Sequence, residues 1–221
     1  MRNWFNKVRE EFPQLAMLRQ GCGCYVEVGV WTGDSAAWVM ENVQPKTAYG
    51  IDPYLPDPRH PKEETDAIYK ATKARVELLG MKLFRCASHQ GLRLWPPTRG
   101  KIDLLYLDGR HDAAGVVLDF CLAWEYLADD AVVILDDFGI GKRKVHRHVP
   151  EAVEAIALAF GDQVDYFHRG PRQAAFRIVS KEPPLEPNMQ RYVAINSRRE
   201  KRKQRRSNRA LRIAARNARI K

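Results

Sequence analysis

One glycine-rich stretch of this 221-residue sequence has the residue types of a ligand-binding turn. An apolar run that contains Glu27 ends in small residues around Gly29 and Gly33, and a helical pattern begins near Ser35. Glycine lets a ligand approach the backbone closely and adopts backbone angles that other residues avoid. The N–H groups at the start of the following helix can bind a carboxylate. The stretch therefore predicts a site for a ligand with an amino-acid carboxylate.

Three further stretches place aspartates directly after apolar runs. Asp52 follows the second run and is positioned to accept hydrogen bonds from ribose hydroxyls. Asp108 follows a later run, and Asp136 and Asp137 follow the last one. Strand ends of a parallel sheet share one rim, where three carboxylates would repel one another unless a cation lay between them. Oxygen ligands favour magnesium or calcium over zinc, so a metal site at these three aspartates is expected.

His111 is the only histidine inside one of these motifs. An imidazole with its ordinary pKa of about 6.5 can take a proton from a hydroxyl near neutral pH. Structural alternatives apply to His111, which could instead orient Asp108 or a loop, and to Glu27, which could be a buried, hydrogen-bonded carboxylate. Asp52 could cap the Pro-rich loop that follows it.

The elements that must position these residues alternate along the chain. Apolar runs of strand length lie at 24–30, 47–52, 82–86, 102–108 and 131–136, and helical stretches lie at 34–43, 62–79, 113–128 and 149–160. This alternation predicts a parallel sheet in an α/β fold with helices on both faces. Runs at 164–168 and 174–179 predict a terminal antiparallel hairpin, which gives a mostly parallel seven-stranded sheet. An opening helix is expected at about 2–19, with its apolar side in the core.

The positive charge of the chain is concentrated at one end. The net charge is +10, and residues 191–221 carry 13 Lys and Arg against one Glu, a charge of +12, so the other residues carry −2. Prolines at 183, 184 and 187 precede this segment. We expect a domain over 1–182 and, over 183–221, a linker and a basic tail that is helical or disordered. Runs of like charge often contact polyanions, so nucleic acid is a candidate partner.

Targeting and redox features are consistent with a cytoplasmic protein. The sequence has no run of about eighteen apolar residues, and residues 1–12 mix charges with aromatics, unlike a signal peptide. The four cysteines match neither a disulfide framework nor a zinc site. We expect a soluble, unexported protein with reduced thiols and no membrane partner.

As a set, these motifs resemble the methyltransferase 24 family, which belongs to the class I S-adenosylmethionine methyltransferases. The family is similar to the macrolide-sugar O-methyltransferases, some of which use magnesium. The resemblance spans roughly residues 24 to 180 and rests on Glu27-x-Gly29-x-x-x-Gly33, Gly50-Ile-Asp52-Pro, Leu107-Asp108-Gly-x-His111, Asp119 and Leu135-Asp136-Asp137. The fold that it implies is the Rossmann-like class I methyltransferase fold.

The resemblance also implies roles for individual residues. It places S-adenosylmethionine against Glu27, Gly29 and Gly33, with Asp52 at the ribose and the turn formed by Cys86, Ala87 and Ser88 beside the adenine. It implies metal binding by Asp108, Asp136 and Asp137. We also assign Ser35 and Asp108 to the cofactor site, and His111 and Asp108 to catalysis.

The leading functional hypothesis is O-methylation of a hydroxyl on a small-molecule or sugar-like acceptor, with His111 or a metal assisting deprotonation. Alternatives are a nucleic-acid-associated methyltransferase and a non-catalytic binding or assembly protein that works through the tail. A nicotinamide dehydrogenase ranks last, because Glu27 stands where the dinucleotide fingerprint requires glycine.

Overall fold

A computed structural model of the protein describes residues 10–96, 99–139 and 148–181. The strands are β1 (Cys24–Val28), β2 (Thr47–Ile51), β3 (Met81–Phe84), β4 (Ile102–Leu107), β5 (Leu127–Leu135), β6 (Val164–Arg169) and β7 (Ala174–Ile178). The α-helices are α1 (Phe12–Met17), α2 (Asp34–Asn42), α3 (Lys62–Leu78), α4 (Ser88–Arg93), α5 (Ala113–Trp124) and α6 (Val149–Phe160), and a 3-10 turn (Gly161–Gln163) follows α6. The basic tail at 183–221 and residues 2–9 of the expected opening helix lie outside the described residues.

All seven strands form one sheet in the order β3-β2-β1-β4-β5-β7-β6. The first five strands are mutually parallel, while β7 runs antiparallel to both β5 and β6. The predicted architecture is therefore confirmed, including the antiparallel hairpin at one edge. The strand order reverses between β1 and β4, and in such sheets ligands bind outside the carboxyl ends of the strands at this switch point.

Apolar side chains cover both faces of the sheet because successive residues of a strand point to opposite sides. Along β4, Leu105 packs in one core cluster with Phe120 of α5 and Val153 of α6. Leu104 points to the opposite face, where it belongs to a second core cluster with residues of α1, α2 and α3, such as Val39. Helices on both faces were predicted, and the central strands are buried accordingly, with all five residues of β1 inside.

Several local predictions differ from the structure. The described part of the opening helix expected at about 2–19 is helical only over Phe12–Met17. The helix expected over 113–128 ends at Trp124, and β5 begins at Leu127 rather than at 131. Leu127 pairs with Ile102 ahead of a register shift in β4, and Asp130 takes a φ of 60°, so an irregular strand replaces the last predicted helical turn. Helix α4 was not predicted, because its six residues are too short for a hydrophobic period to stand out.

None of the helices in the described ranges combines the length and the apolar character that a membrane span requires. The four cysteines, which all lie within these ranges, form no disulfide.

Candidate functional site

A cavity of about 730 Å³ opens at the carboxyl ends of β1, β2, β4 and β5. Its volume lies in the range typical of small-molecule sites. The structure brings most of the predicted site residues to its wall, namely Gly29, Ser35, Asp52, Ala87, Ser88, Asp108, His111, Asp136 and Asp137. Glu27 and Gly33 are not among the residues that line it.

Gly29 occupies the turn after β1 because no side chain fits there. Its φ is 90°, and a Cβ atom would lie 2.2 Å from the backbone oxygen of Asp108. The turn after β1 therefore packs directly against the end of β4. This close packing brings the first predicted motif and the third to one wall of the cavity.

Gly33 begins helix α2 from a left-handed conformation, with a φ of 74°. No side chain caps the first turn of this nine-residue helix. The orphan N–H groups of such a turn, together with the positive end of the helix dipole, attract a carboxylate. Gly33 thus shapes the start of the helix without facing the cavity, while Ser35 reaches it.

Glu27 lies fully buried behind the glycine turn. Its carboxylate accepts a hydrogen bond from the Tyr25 hydroxyl at 2.7 Å and another from the Ser35 hydroxyl. Burial raises its pKa to about 8, although both hydrogen bonds oppose that shift. These contacts correspond to the structural alternative considered for Glu27, in which it ties β1 to the first turn of α2.

Asp52 joins two loops of the cavity wall. One carboxylate oxygen accepts from the Trp31 backbone N–H at 2.9 Å, and the other accepts from that of Tyr54 at 2.7 Å. Trp31 and Tyr54 both adopt positive φ, 46° and 48°, which costs free energy in residues with a side chain. The Tyr54 hydroxyl also donates to the Trp31 carbonyl at 2.9 Å. Asp52 therefore holds these strained residues while it lines the cavity.

Asp108, His111 and Asp137 form a cluster across the β4 and β5 strand ends. Their potential ligand atoms all lie within 4.8 Å of one another. The Nδ1 atom of His111 is 3.3 Å from a carboxylate oxygen of Asp137, which is buried and has a φ of 60°. The His111 carbonyl accepts from the His148 backbone N–H at 2.8 Å, so the start of α6 helps to fix it.

Asp136 lines the same cavity and is held by a different partner. Its carboxylate accepts from the side-chain amide of Gln173 at 2.8 Å, and this amide also lies 3.3 Å from the Tyr106 hydroxyl. Gln173 is fully buried and belongs to the turn between β6 and β7. The cation site was predicted from Asp108, Asp136 and Asp137, whereas the structure gathers Asp108, His111 and Asp137.

Sequence reasoning did not identify three of the residues that form or support this site. Trp31 and Arg172 line the cavity, and Gln173 holds Asp136. Trp31 lies inside the glycine motif, which is a signal that could have pointed to it. Arg172 and Gln173 were recognised only as part of a hairpin turn, and nothing local indicates that this turn reaches the strand ends.

The chain is similar to known proteins in sequence and in fold. A family model described as a methyltransferase domain matches residues 26–138. An uncharacterized protein of Acanthamoeba polyphaga mimivirus is 25% identical over 139 residues, which cover 62% of this chain and 59% of that protein. The matched stretch thus spans less than two thirds of this relative's length.

Several solved methyltransferases share the fold. The N-methyltransferase NodS from Bradyrhizobium japonicum superposes with a TM-score of 0.58 at 12% identity, covering 81% of this chain and 99% of its own. The O-methyltransferase TomG from Streptomyces achromogenes, in complex with SAM, gives 0.56 at 16% identity over 76% and 78% of the two chains. An rRNA methylase from Streptococcus thermophilus gives 0.54 at 10% identity over 78% and 96%. At these identities the likeness is one of fold.

Proposed function

We infer the function from the family of this chain, which belongs to the methyltransferase 24 family of class I S-adenosylmethionine-dependent methyltransferases. We propose that it O-methylates a small-molecule acceptor in the cavity at the strand ends. The observation that carries this proposal is that the glycine turn, Asp52 and the cluster around His111 all line the same cavity. One end of this cavity offers contacts for a nucleoside and an amino-acid carboxylate. The other end offers a base for a hydroxyl.

The cofactor is S-adenosylmethionine, which supplies a methyl carbon already activated by its sulfonium. The uncapped first turn of α2 suits the methionine carboxylate, and the carboxylate of Asp52 suits the ribose hydroxyls. Each oxygen of Asp52 already accepts one backbone N–H, but a carboxylate offers about four acceptor sites. We assign Ala87 and Ser88 to the adenine side of the cavity, and Glu27 to positioning the glycine turn.

The proton of the acceptor hydroxyl passes, in this proposal, to His111. When Nδ1 of His111 carries the proton that faces Asp137, Nε2 is free to accept the proton of the hydroxyl. The carboxylate of Asp137 then stabilises the imidazolium that forms. Asp108 completes the polar wall on this side. Since methyl transfer needs in-line placement of the oxygen, most of the catalytic effect comes from holding the two reactants together.

A divalent metal fits the same cluster as a second way to activate the hydroxyl. Two carboxylates and an imidazole offer three ligand atoms within 4.8 Å of one another. A bound metal would lower the pKa of a coordinated hydroxyl. However, the imidazole replaces one of the oxygen ligands expected at Asp136, so the donor set no longer singles out magnesium. His111 acts as a metal ligand or as the base, and a chelator separates these roles.

The test is incubation of the protein with methyl-labelled S-adenosylmethionine and fractionated small-molecule extracts, followed by identification of the labelled product. We expect label on an oxygen of a small molecule. We expect His111→Ala to lower the rate by about a hundredfold or more while leaving cofactor binding intact. Label on nitrogen, or only on macromolecules, would contradict the proposal.

A second candidate is methylation of nucleic acid or of a protein bound to it. The observation that favours it is the charge of +12 on residues 191–221, which can supply sequence-independent attraction to phosphates. These residues lie outside the described ranges. Label incorporated into RNA or DNA in the same experiment would support this alternative.

A further inference from the structure

Arg172 differs from the other arginines that line the cavity. Arg59 pairs with Asp57, and Arg110 forms two hydrogen bonds to Asp112. Arg172 is partly buried at the cavity wall, and within the described ranges its guanidinium has no hydrogen bond, ion pair or aromatic partner. A cation in such a position has lost part of its hydration without gaining a counter-ion, which favours a ligand that supplies one.

The backbone that carries Arg172 is fixed on both sides. Its N–H donates to the carboxylate of Glu11 at 3.2 Å, and its carbonyl accepts from the Phe138 N–H at 2.7 Å. The next residue, Gln173, also donates its backbone N–H to Glu11 at 3.2 Å and binds Asp136 through its side chain. The guanidinium therefore extends from a turn held against β5 and the N-terminal segment, so binding it requires little ordering of the backbone.

The position of Arg172 assigns it to the acceptor end of the cavity. It lies in the β6–β7 turn beside Gln173, whose side chain binds Asp136, whereas the cofactor contacts proposed above lie at the ends of β1 and β2. Asp136 and Asp137 belong to the same end, and they already interact with Gln173 and His111. These aspartates thus have other partners than the guanidinium.

We propose that Arg172 binds an anionic oxygen group, a carboxylate or a phosphate, on the molecule whose hydroxyl is methylated. The planar guanidinium presents parallel N–H donors that match such groups, and charge-assisted hydrogen bonds of this kind are among the strongest. The inference rests on the proposed O-methylation. It narrows the substrate class to molecules that carry a free hydroxyl together with a carboxylate or a phosphate. A neutral sugar would leave this cation without a partner.

The experiment measures binding to the full-length protein loaded with S-adenosylhomocysteine. The probes are para-hydroxybenzoate, its neutral methyl ester and 4-hydroxyphenyl phosphate, titrated by calorimetry or ligand-observed NMR. The variants are Arg172→Gln, Arg172→Lys and the control Arg177→Gln. Arg177 is an exposed arginine of β7 in the same hairpin that does not line the cavity.

We expect the wild type to bind at least one of the two anions about tenfold more tightly than the ester. Arg172→Gln should abolish this preference, Arg172→Lys should weaken it, and Arg177→Gln should keep it. The anion that is preferred tells a carboxylate acceptor from a phosphorylated one.

Equal binding of ester and anions by the wild type, a preference that survives Arg172→Gln, or no binding of any probe would overturn the inference. Affinity for S-adenosylhomocysteine is measured first in each variant. Its absence from the wild type would count against the proposed function, whereas its presence together with no anion preference would count against the role of Arg172 alone. If Arg172→Gln fails to fold, Arg172→Lys decides.

Discussion

The carboxylate of Asp52 accepts hydrogen bonds from two strained backbone positions and also faces the cavity. The sequence predicted two alternatives for it, a ribose contact and a cap for the following loop. Since a carboxylate can accept several hydrogen bonds, the two are compatible. Burial raises the pKa of Asp52, while the backbone N–H groups of Trp31 and Tyr54 oppose that shift.

Asp52→Ala should lower the affinity for S-adenosylmethionine at least tenfold and also lower stability. The proposed ribose bonds would be lost, and two N–H groups would lose their acceptor, at a cost of about 1–3 kcal/mol each. Asp52→Asn keeps one acceptor oxygen, so its cofactor affinity and stability should lie between those of the wild type and of Asp52→Ala. Calorimetric titration and urea unfolding measure the two effects. Unchanged cofactor affinity in a folded Asp52→Ala protein would reject the ribose assignment.

Glu27 should make the stability of the protein depend on pH. Its folded-state pKa is about 8 against an ordinary value of 4.5, so the folded state holds a proton that the unfolded state releases. Its contribution is fully favourable below about 4.5 and is lost as pH rises towards 8, with a slope approaching 1.4 kcal/mol per pH unit.

Glu27→Gln removes the titrating group and keeps the buried shape, so the slope that Glu27 contributes should disappear. Urea unfolding of both proteins at several pH values between 5 and 8 measures it. As pH rises, the unfolding free energy of the wild type should fall relative to that of the variant. A constant difference over this range would mean that Glu27 is ionised in the folded protein throughout.

At the scale of elements, the sequence predicted the sheet and the residues at its strand ends, because parallel strands must bring their carboxyl ends to one edge. It could not predict which of these residues pair. Asp136 binds Gln173 because the β6–β7 turn packs against the end of β5. His111 meets Asp137 because the ends of β4 and β5 are neighbours in the sheet. Contacts between residues about forty positions apart leave no local signal. The role of Arg172 was missed for the same reason.

The contact between the β1 turn and the end of β4 predicts a specific effect of Gly29→Ala. The new Cβ would lie 2.2 Å from the Asp108 carbonyl oxygen, so the turn must move away from β4. Gly100→Ala is the matched control, because Gly100 also has positive φ, at 78°, but has open space around it.

Gly100→Ala should cost only the backbone strain, about 1–2 kcal/mol, and keep cofactor affinity. Gly29→Ala should be destabilised further and lose most of its affinity for S-adenosylmethionine. Thermal unfolding and calorimetric titration of both variants test this. Similar stability and affinity in the two proteins would show that the turn can move at no cost.

At the scale of the whole molecule, charge separates two parts of the chain. The residues before 191 carry a net charge of −2, and residues 191–221 carry +12. Seven arginines of this tail recur at alternating steps of four and three residues, at Arg198, Arg202, Arg205, Arg209, Arg212, Arg216 and Arg219. On a helix they would form one basic stripe. Like charges repel along such a stripe, so we expect a polyanion to increase its helix content.

Removal of residues 191–221 should therefore abolish a salt-sensitive affinity for RNA or DNA and leave S-adenosylmethionine binding unchanged. Phosphate contacts release counterions, so the logarithm of the intact protein's binding constant should fall steeply and linearly with the logarithm of the salt concentration. Replacing the seven stripe arginines by glutamine keeps the length of the tail and should reproduce the deletion. Fluorescence anisotropy with labelled RNA and DNA at several salt concentrations measures the affinity. If the deleted and intact proteins bind equally at low salt, the tail only adds solubility, and any attraction to nucleic acid comes from the residues before 191.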